Sequence, residues 1–302
     1  IILVNGLPLE YVDLRKKVLS HISTLASWPE HDLAEMENEE SFWLTGWSRG
    51  KEKLASTGEP DYNKGSFYVN CSFHVDPALE QPPTNIVEEF PDFMSYTLPN
   101  IWPSKSKFPT FEADVKQLCN MIIDIAEIVA QNCDEYIQSS FSEMEEGFLR
   151  RIVRESCCTK ARLLHYYPIN EKATSDDNWC GEHLDHSCLT GLTSALYFDD
   201  LAGPEPLLQS PDARAGLYIK NRKGDTVQVH IPDDCLAFQS GSALQEISQG
   251  KFKAVPHHVT GPSLPNISRS TLAVFCQPNL DEKLNAQENF AQFATRILKS
   301  NH

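Results

Sequence analysis

Long apolar runs are missing from this chain of 302 residues. No stretch approaches the roughly 18 consecutive apolar residues that a membrane-spanning helix needs. The opening IILVNGLPLE also lacks a basic segment ahead of its apolar residues, so no signal peptide is read there. Positive charge is scarce as well: 26 Lys and Arg stand against 42 Asp and Glu, a formal net charge of -16. Such a surface repels phosphate backbones and anionic lipid faces, which excludes nucleic acid and membranes as expected partners. Paired C-x-x-C spacing is absent from the nine cysteines. An odd, scattered set of this kind points to reduced thiols in a cytoplasmic protein rather than to a disulfide framework. The N-x-S triplets at Asn70 and Asn266 are read as chance occurrences. No internal repeat, low-complexity tract, phosphate-binding glycine loop or nucleophile elbow appears.

What is present is enough apolar residue, 41% of the chain with 10% aromatic, for a substantial core. Up to about residue 107 short helical and strand-like runs alternate with Gly and Pro breakers, which predicts a mixed wrapping region. From Thr110 the pattern becomes regular. Val115, Leu118, Ile122, Ile125 and Val129 recur at steps of three and four, one apolar face of a long helix, and Glu112 and Asp114 suit its positive end. A second, more polar helical run is expected over about 135–156. After residue 160 seven short β-branched or aromatic runs follow, at 161–169, 194–201, 216–221, 226–231, 235–240, 252–259 and 271–276, separated by turn residues. The clearest is a hairpin, with Leu217 and Ile219 inward, a turn at Arg222–Asp225, and Val227, Val229 and Ile231 returning. The tail, 281–302, is expected to close as an amphipathic helix packing Leu284, Phe290, Phe293, Ile297 and Leu298. The expected fold is therefore α+β with a mainly β core, a sandwich or barrel.

One segment carries chemistry. His183 and Asp185 lie two residues apart, and on an extended strand such side chains share a face, where a nitrogen and an oxygen can meet one ion. A third ligand must come from a distant strand, and His257 or His258 can supply it. Two imidazoles and one carboxylate on one face leave octahedral positions open, the arrangement suited to ferrous iron that uses O₂. A solvated H-x-D pair is the plain alternative. A zinc site from Cys180, His183, His186 and Cys188 is the other, but it lacks paired cysteine spacing and Asp185 intrudes. Cys157 and Cys158 are expected as buried thiols, and Lys51 and Lys53 as a solvated face. Downstream, Arg269 opens an apolar strand and needs an anion if it points inward. Its planar fork suits a carboxylate, and the Thr271 hydroxyl two residues on lies on the same side. Tyr167 offers a phenol to the same acid.

These residues resemble, in order, the iron(II)/2-oxoglutarate-dependent dioxygenases related to isopenicillin N synthase, anthocyanidin synthase and the gibberellin oxidases. The matching motifs are Arg162 to Pro168, His183-Leu184-Asp185 with Leu189-Thr190, Gly216 to Ile219, Gly250 to Lys253 leading to His257, and Arg269-Ser270-Thr271 with Phe275. The resemblance covers about 120 residues; the N-terminal part matches more loosely, through GSFYVN (65–70) and the long helix. It implies a double-stranded β-helix, or jelly roll, over 158–280, with 1–157 packed outside it. It chooses His257 over His258 and implies Fe(II) held by His183, Asp185 and His257. By the same resemblance Arg269, Thr271, Tyr167 and His165 contact 2-oxoglutarate, while Leu184, Phe275, Phe67 and Tyr68 border the substrate. The implied activity is oxidation of a small organic substrate with O₂, releasing succinate and CO₂, with ascorbate as an accessory reductant; apart from the resemblance, a monomer is the default expectation. The sequence departs from the family at His165, where asparagine is usual, at Thr271, at His258, where arginine is usual, and at Gly241-Ser242, where Gly-Asp is usual. Two rival readings remain: an iron oxidase that dispenses with the oxo-acid, as isopenicillin N synthase and the ethylene-forming oxidase do, and a jelly-roll binding protein without catalysis.

Overall fold

Where the apolar period changes from 3.6 to 2, helices give way to strands, and the computed structural model follows that change over the residues it describes, 1–54, 57–140, 145–169 and 179–300. The strands are β1 (Ile2–Val4), β2 (Gly46–Arg49), β3 (Lys64–Asn70), β4 (Lys160–Tyr166), β5 (Cys180–His183), β6 (Leu189–Thr193), β7 (Leu196–Asp199), β8 (Gly216–Lys220), β9 (Thr226–Val229), β10 (Leu236–Ser240), β11 (His257–Thr260) and β12 (Ile267–Cys276). The helices are α1 (Tyr11–Ala26), α2 (Glu30–Ala34), α3 (Thr84–Glu89), α4 (Met94–Thr97), α5 (Phe111–Ser140), α6 (Phe148–Glu155), α7 (Ser242–Ile247) and α8 (Phe290–Ser300). Eight strands form one sheet in the order β1-β10-β6-β12-β4-β3-β2, with β7 also on β12; four form a second, β5-β11-β8-β9. All pairings are antiparallel. No helix among the described residues is long and apolar enough to cross a membrane.

The large sheet is apolar on both faces, and alternation along β12 shows how the faces divide. Leu272, Val274 and Cys276 join a core built with α1 and α5, whereas Ile267 and Ala273 join a smaller cluster that includes Leu217 and Val259 of the second sheet. Helix α5 buries Val115, Leu118 and Ile122 completely and leaves Ile125 half-buried. It lies against β12, β6 and β10. Asp114 in its first turn accepts Lys17 Nζ and His21 Nε2 of α1, both at 2.8 Å, so the residue that suits the helix end also braces two helices together. All nine cysteines are free thiols, seven of them buried.

Several expectations change. The wrapping region supplies three strands to the large sheet, and it contains the amphipathic α1, whose Tyr11, Leu14, Val18, Leu19, Ile22 and Leu25 are buried. The run 252–259 pairs only from His257 onward, because Pro256 has no N–H to donate. The terminal helix begins at Phe290 rather than near 281. Before it, the Asn285 side chain accepts the Gln287 and Glu288 amides at 2.8 and 3.0 Å, a local alternative to helical bonding, and Asn289 then caps the Gln292 amide at 2.9 Å. Of the predicted packing residues there, the Leu298 side chain lies outside the described ones. The second helical run divides into the end of α5 and α6, and residues 141–144 between them lie outside the described residues. In the hairpin, Leu217 is buried, while Val227, nearer the turn, is 42% exposed.

Gly191 of β6 permits α5 to sit this close. A Cβ there would lie 2.6 Å from Ile122 Cγ2 and 3.0 Å from Phe238 Cε1, and Ile122 is stiff and fully enclosed. Gly191→Ala should therefore lower stability by about 1–3 kcal/mol. A drop in Tm of several degrees, measured by differential scanning calorimetry, is expected; an unchanged Tm would show that α5 can move away at no cost.

Candidate metal and oxo-acid site

His183 ends β5 and stands directly opposite His257, the first residue of β11. Their rings are 4.2 Å apart between centroids. The His183 Nδ1 faces the Gly181 carbonyl at 2.8 Å and the His257 Nδ1 faces the Val255 carbonyl at 3.0 Å. A carbonyl only accepts, so each Nδ1 carries a proton and Nε2 is the nitrogen available to a metal. Asp185 lies beyond the end of β5, in an irregular segment, rather than on the strand as i, i+2 alternation supposed. Its carboxylate still reaches the pair: Oδ1 is 3.9 Å from His183 Nε2 and 3.6 Å from His257 Nε2. One ligand atom from each of the three residues falls within 4.8 Å of the others, a spacing that can hold a metal ion. Asp185 and His257 are buried, while His183 is exposed at the mouth. His258 points the other way and stacks on Tyr218.

The Asp185 loop is held by its backbone. Ser242 and Ala243, opening α7, donate their amides to the Asp185 and Ser187 carbonyls at 2.8 and 3.2 Å. A Cβ on Gly241 would fall 2.2 Å from the Ser187 oxygen, so only glycine lets the two segments meet. The carboxylate is held as well. Asp185 Oδ2 accepts Thr190 Oγ1 at 2.6 Å and Gln239 Nε2 at 2.7 Å, which turns Oδ1 toward the imidazoles. Gln239 was not anticipated from the sequence, since it belongs to a distant strand and carries no motif.

Charge in the site follows from burial and neighbours. Burial pulls His183 down, but Cys180, whose Sγ lies 3.8 Å from Nδ1, together with Asp185 pushes it up to about 9. His257 is lowered by burial, with Asp185 opposing.

The triad opens on a cavity of about 460 Å³ between the two sheets. Alternation along β12 turns Arg269, Thr271, Ala273 and Phe275 into it, as expected for Arg269, Thr271 and Phe275. Arg269 is 6% exposed, and its Nε and Nη1 are buried with no hydrogen-bond partner, its guanidinium lying 5.2 Å from the centre of the Tyr166 ring. The Thr271 hydroxyl approaches only the Thr193 carbonyl and hydroxyl, at 3.4 and 3.5 Å.

The structure does not bring Tyr167 or His165 to this cavity. On β4 the register sets Tyr166 opposite Arg269 and Leu164 opposite Thr271, so Arg162, Leu164 and Tyr166 face inward and their neighbours face out. Tyr167 donates its hydroxyl to the Ala26 carbonyl at 2.9 Å and lies under Arg49. His165 Nδ1 meets Ser270 Oγ at 3.0 Å. Phe67 also faces away, packing on Phe111 and Trp102 in the main core. Tyr68 sits behind Arg162 and donates to Glu52 at 3.0 Å. Leu184 is 40% exposed and does not line the cavity.

With this geometry in place, comparison with known proteins is decisive for residues 158–278, which match the model of the 2OG-Fe(II) oxygenase superfamily. That segment belongs to this superfamily. Members of that superfamily use Fe(II), 2-oxoglutarate and O₂. Among solved structures, a putative 2OG-Fe(II) oxygenase family protein from Caulobacter crescentus is similar over 99% of this chain and 89% of its own, at 18% identity and a TM-score of 0.73. A full-length Neurospora crassa protein in complex with alpha-KG and thymine is similar over 100% of this chain and 87% of its own, at 18% identity and a TM-score of 0.70. A dioxygenase for auxin oxidation in rice covers 98% of this chain and 84% of its own, at 14% identity and a TM-score of 0.57. At such identities the likeness is one of fold. No curated protein matches the chain at a significant level.

Two predictions come from this geometry. Removing the Gln239 donor frees Asp185 Oδ2, so Gln239→Leu should weaken Co(II) binding by about 10–100-fold while leaving the metal-free Tm within a few degrees. A Co(II) titration with an unchanged Kd would show that Thr190 alone suffices. The second concerns His165, which burial, with the Arg49 charge, pulls down to about 3. Its folded pKa lies below the unfolded value of roughly 6.5, so the unfolded chain takes the proton first. Stability is then complete above about pH 6.5 and declines, by up to several kcal/mol, as pH falls toward 3. His165→Asn should flatten that acid limb in urea unfolding at pH 7, 5.5 and 4; an identical limb would remove His165 as its source.

Proposed function

We propose that this protein oxidises a small organic substrate at an Fe(II) ion held by His183 Nε2, Asp185 Oδ1 and His257 Nε2, with Arg269 gripping the distal carboxylate of 2-oxoglutarate and Thr271 beside it. The observation that carries the reading is the state of Arg269. A guanidinium that is almost fully buried, with two nitrogens lacking any partner, is costly unless an anion completes it. The cavity it faces also holds two imidazoles and a carboxylate in metal-binding array. A dicarboxylate with one end on the metal and the other on the fork satisfies both needs. In this reading the strands of 158–280 form the two halves of a jelly roll, to whose larger sheet the N-terminal region adds β1, β2 and β3.

When bound, the iron and oxo-acid supply O₂ activation coupled to decarboxylation to succinate and CO₂, and oxidise a C–H bond. The protein's residues position and exclude. Carbonyls at Gly181 and Val255 hold a proton on each Nδ1, which leaves Nε2 as the nitrogen to ligate a metal, and Thr190 and Gln239 keep Asp185 to one ligating oxygen. Leu192, Leu217, Val259 and Phe275 dry the cavity walls, which strengthens each electrostatic contact inside. The outward-facing Tyr167 and His165 have no part in gripping the oxo-acid; Tyr166 is the phenol on the Arg269 side.

Arg269→Gln loses a charge-assisted fork and should raise the Kd for 2-oxoglutarate by about 30-fold or more, with Co(II) affinity kept within a few-fold. Anaerobic titration of the Fe(II)-loaded protein, followed by its visible charge-transfer band, measures the first; a Co(II) titration measures the second. Undiminished oxo-acid binding, or product formation without succinate in a metabolite screen, would overturn the role of Arg269 and favour an oxidase independent of the oxo-acid.

A further inference from the structure

Two arginines line the cavity, and they are in opposite electrostatic states. Arg269 has no ion-pair partner among the described residues and has two orphaned nitrogens. Arg162, on β4, donates Nη2 to Glu52 at 2.6 Å and Nε to Ser66 Oγ at 2.9 Å. Glu52 also pairs with Lys64 at 2.9 Å, and Lys64 with Asp61 at 3.1 Å. The wall behind Arg162 thus sets two cations against two carboxylates. Burial works against the Glu52 carboxylate, but Arg162 and Lys64 overcome it and hold it down to about 2, so it stays charged. Arg162 Nη1 has no partner among the described residues, and the side chain lines the cavity.

The two guanidinia also differ in position. Arg162 stands opposite Ala273 and Arg269 stands opposite Tyr166, four residues apart along the paired strands, or about 13 Å at roughly 3.3 Å per residue. The metal end is marked by Phe275, which pairs with Thr190, the donor to Asp185. Arg162 is two residues from Phe275 in this register, so it lies at the metal end, away from the oxo-acid's distal carboxylate.

We propose that Arg162, neutralised by Glu52, is a recognition residue for the primary substrate and selects an uncharged compound bearing a carbonyl acceptor, such as an amide, lactam or imide, over the corresponding carboxylate. A guanidinium already paired to a carboxylate keeps N–H donors free but has little net charge to offer. A second carboxylate would face Glu52 across the same fork and be repelled by it, a repulsion that solvent at the 41%-exposed Glu52 side chain reduces but does not remove. A neutral carbonyl accepts from Nη1 at no such cost, and the apolar walls formed by Leu192, Leu217, Val229 and Phe275 suit the rest of an uncharged molecule. This rests on the assignment of Arg269 to the oxo-acid, which leaves Arg162 for the other ligand.

The test uses the full chain loaded with Co(II) and 2-oxoglutarate, and matched probes: benzamide with benzoate, and 2-phenylacetamide with 2-phenylacetate. Ligand-observed NMR should show each amide binding about fivefold or more tightly than its acid. Glu52→Gln should shift the preference to the acids. Because Arg162→Met alone strands Glu52, the double variant Arg162→Met/Glu52→Gln keeps the wall neutral; it should lose the amide preference while 2-oxoglutarate affinity stays within about twofold. Tighter binding of the acids by the unaltered protein, no Arg162-dependent binding of either amide, or a parallel loss of oxo-acid affinity in the double variant would each overturn the proposal. Failure of the Arg269 assignment shows separately, as oxo-acid affinity that survives Arg269→Gln.

Discussion

Strand β12 is hydrogen-bonded along both edges, to β4 on one side and to β7 and β6 in turn on the other, and this double pairing fixes which side chains β12 and β4 turn into the cavity. A slip of one residue would turn Arg269 and Thr271 into the α1–α5 core and put Leu272 and Val274 into the cavity. The apolar residues forbid it, since Leu272 and Val274 are completely buried against the helices. Packing on the helical face therefore holds the chemistry on the other face, and the close seat of α5 over Gly191 belongs to the same constraint.

This constraint also separates what can be read from sequence from what cannot. Parity within one strand is legible: Arg269 predicts Thr271, and choosing one of His257 and His258 excludes the other. Parity between strands depends on register, which the residues of β4 do not state. The adjacent tyrosines 166 and 167 are equivalent as phenols, and motif order selects Tyr167. Only the pairing of Tyr166 with Arg269 shows that Tyr167 and His165 face outward. Phe67 fails for the same reason, one strand further along. The long helix and most strands were legible because their periodicity is sustained. Helix α1 has an equally clear period, but it lies in a region dense with breakers. Gln239 had no local signal, because its role exists only once β10 is brought to Asp185.

Electrostatics then divides the cavity. The same residue type appears at both ends, yet Glu52 reaches Arg162 and no carboxylate reaches Arg269. The two cavity ends thus differ in charge, one guanidinium paired and the other unpaired. The partner of Arg162 comes from the segment after β2, outside the superfamily match, so residues beyond the oxygenase segment set the charge at that end of the cavity.

The triad itself straddles the two sheets. His183 and His257 lie on β5 and β11 of the small sheet, whereas the donors that orient Asp185 come from β6 and β10 of the large one. Asp185 is thus the joint between the halves, tied by its backbone to α7 and by its carboxylate to Thr190 and Gln239, with both imidazoles within 4 Å of its free oxygen. A cation bound there adds attraction where the sheets otherwise meet through a small apolar cluster and a cavity. Spacing between the sheets and geometry at the metal are then one mechanical variable. The large sheet meets the site through Asp185 and also through His257, whose Nε2 lies 3.2 Å from Gln239 Nε2.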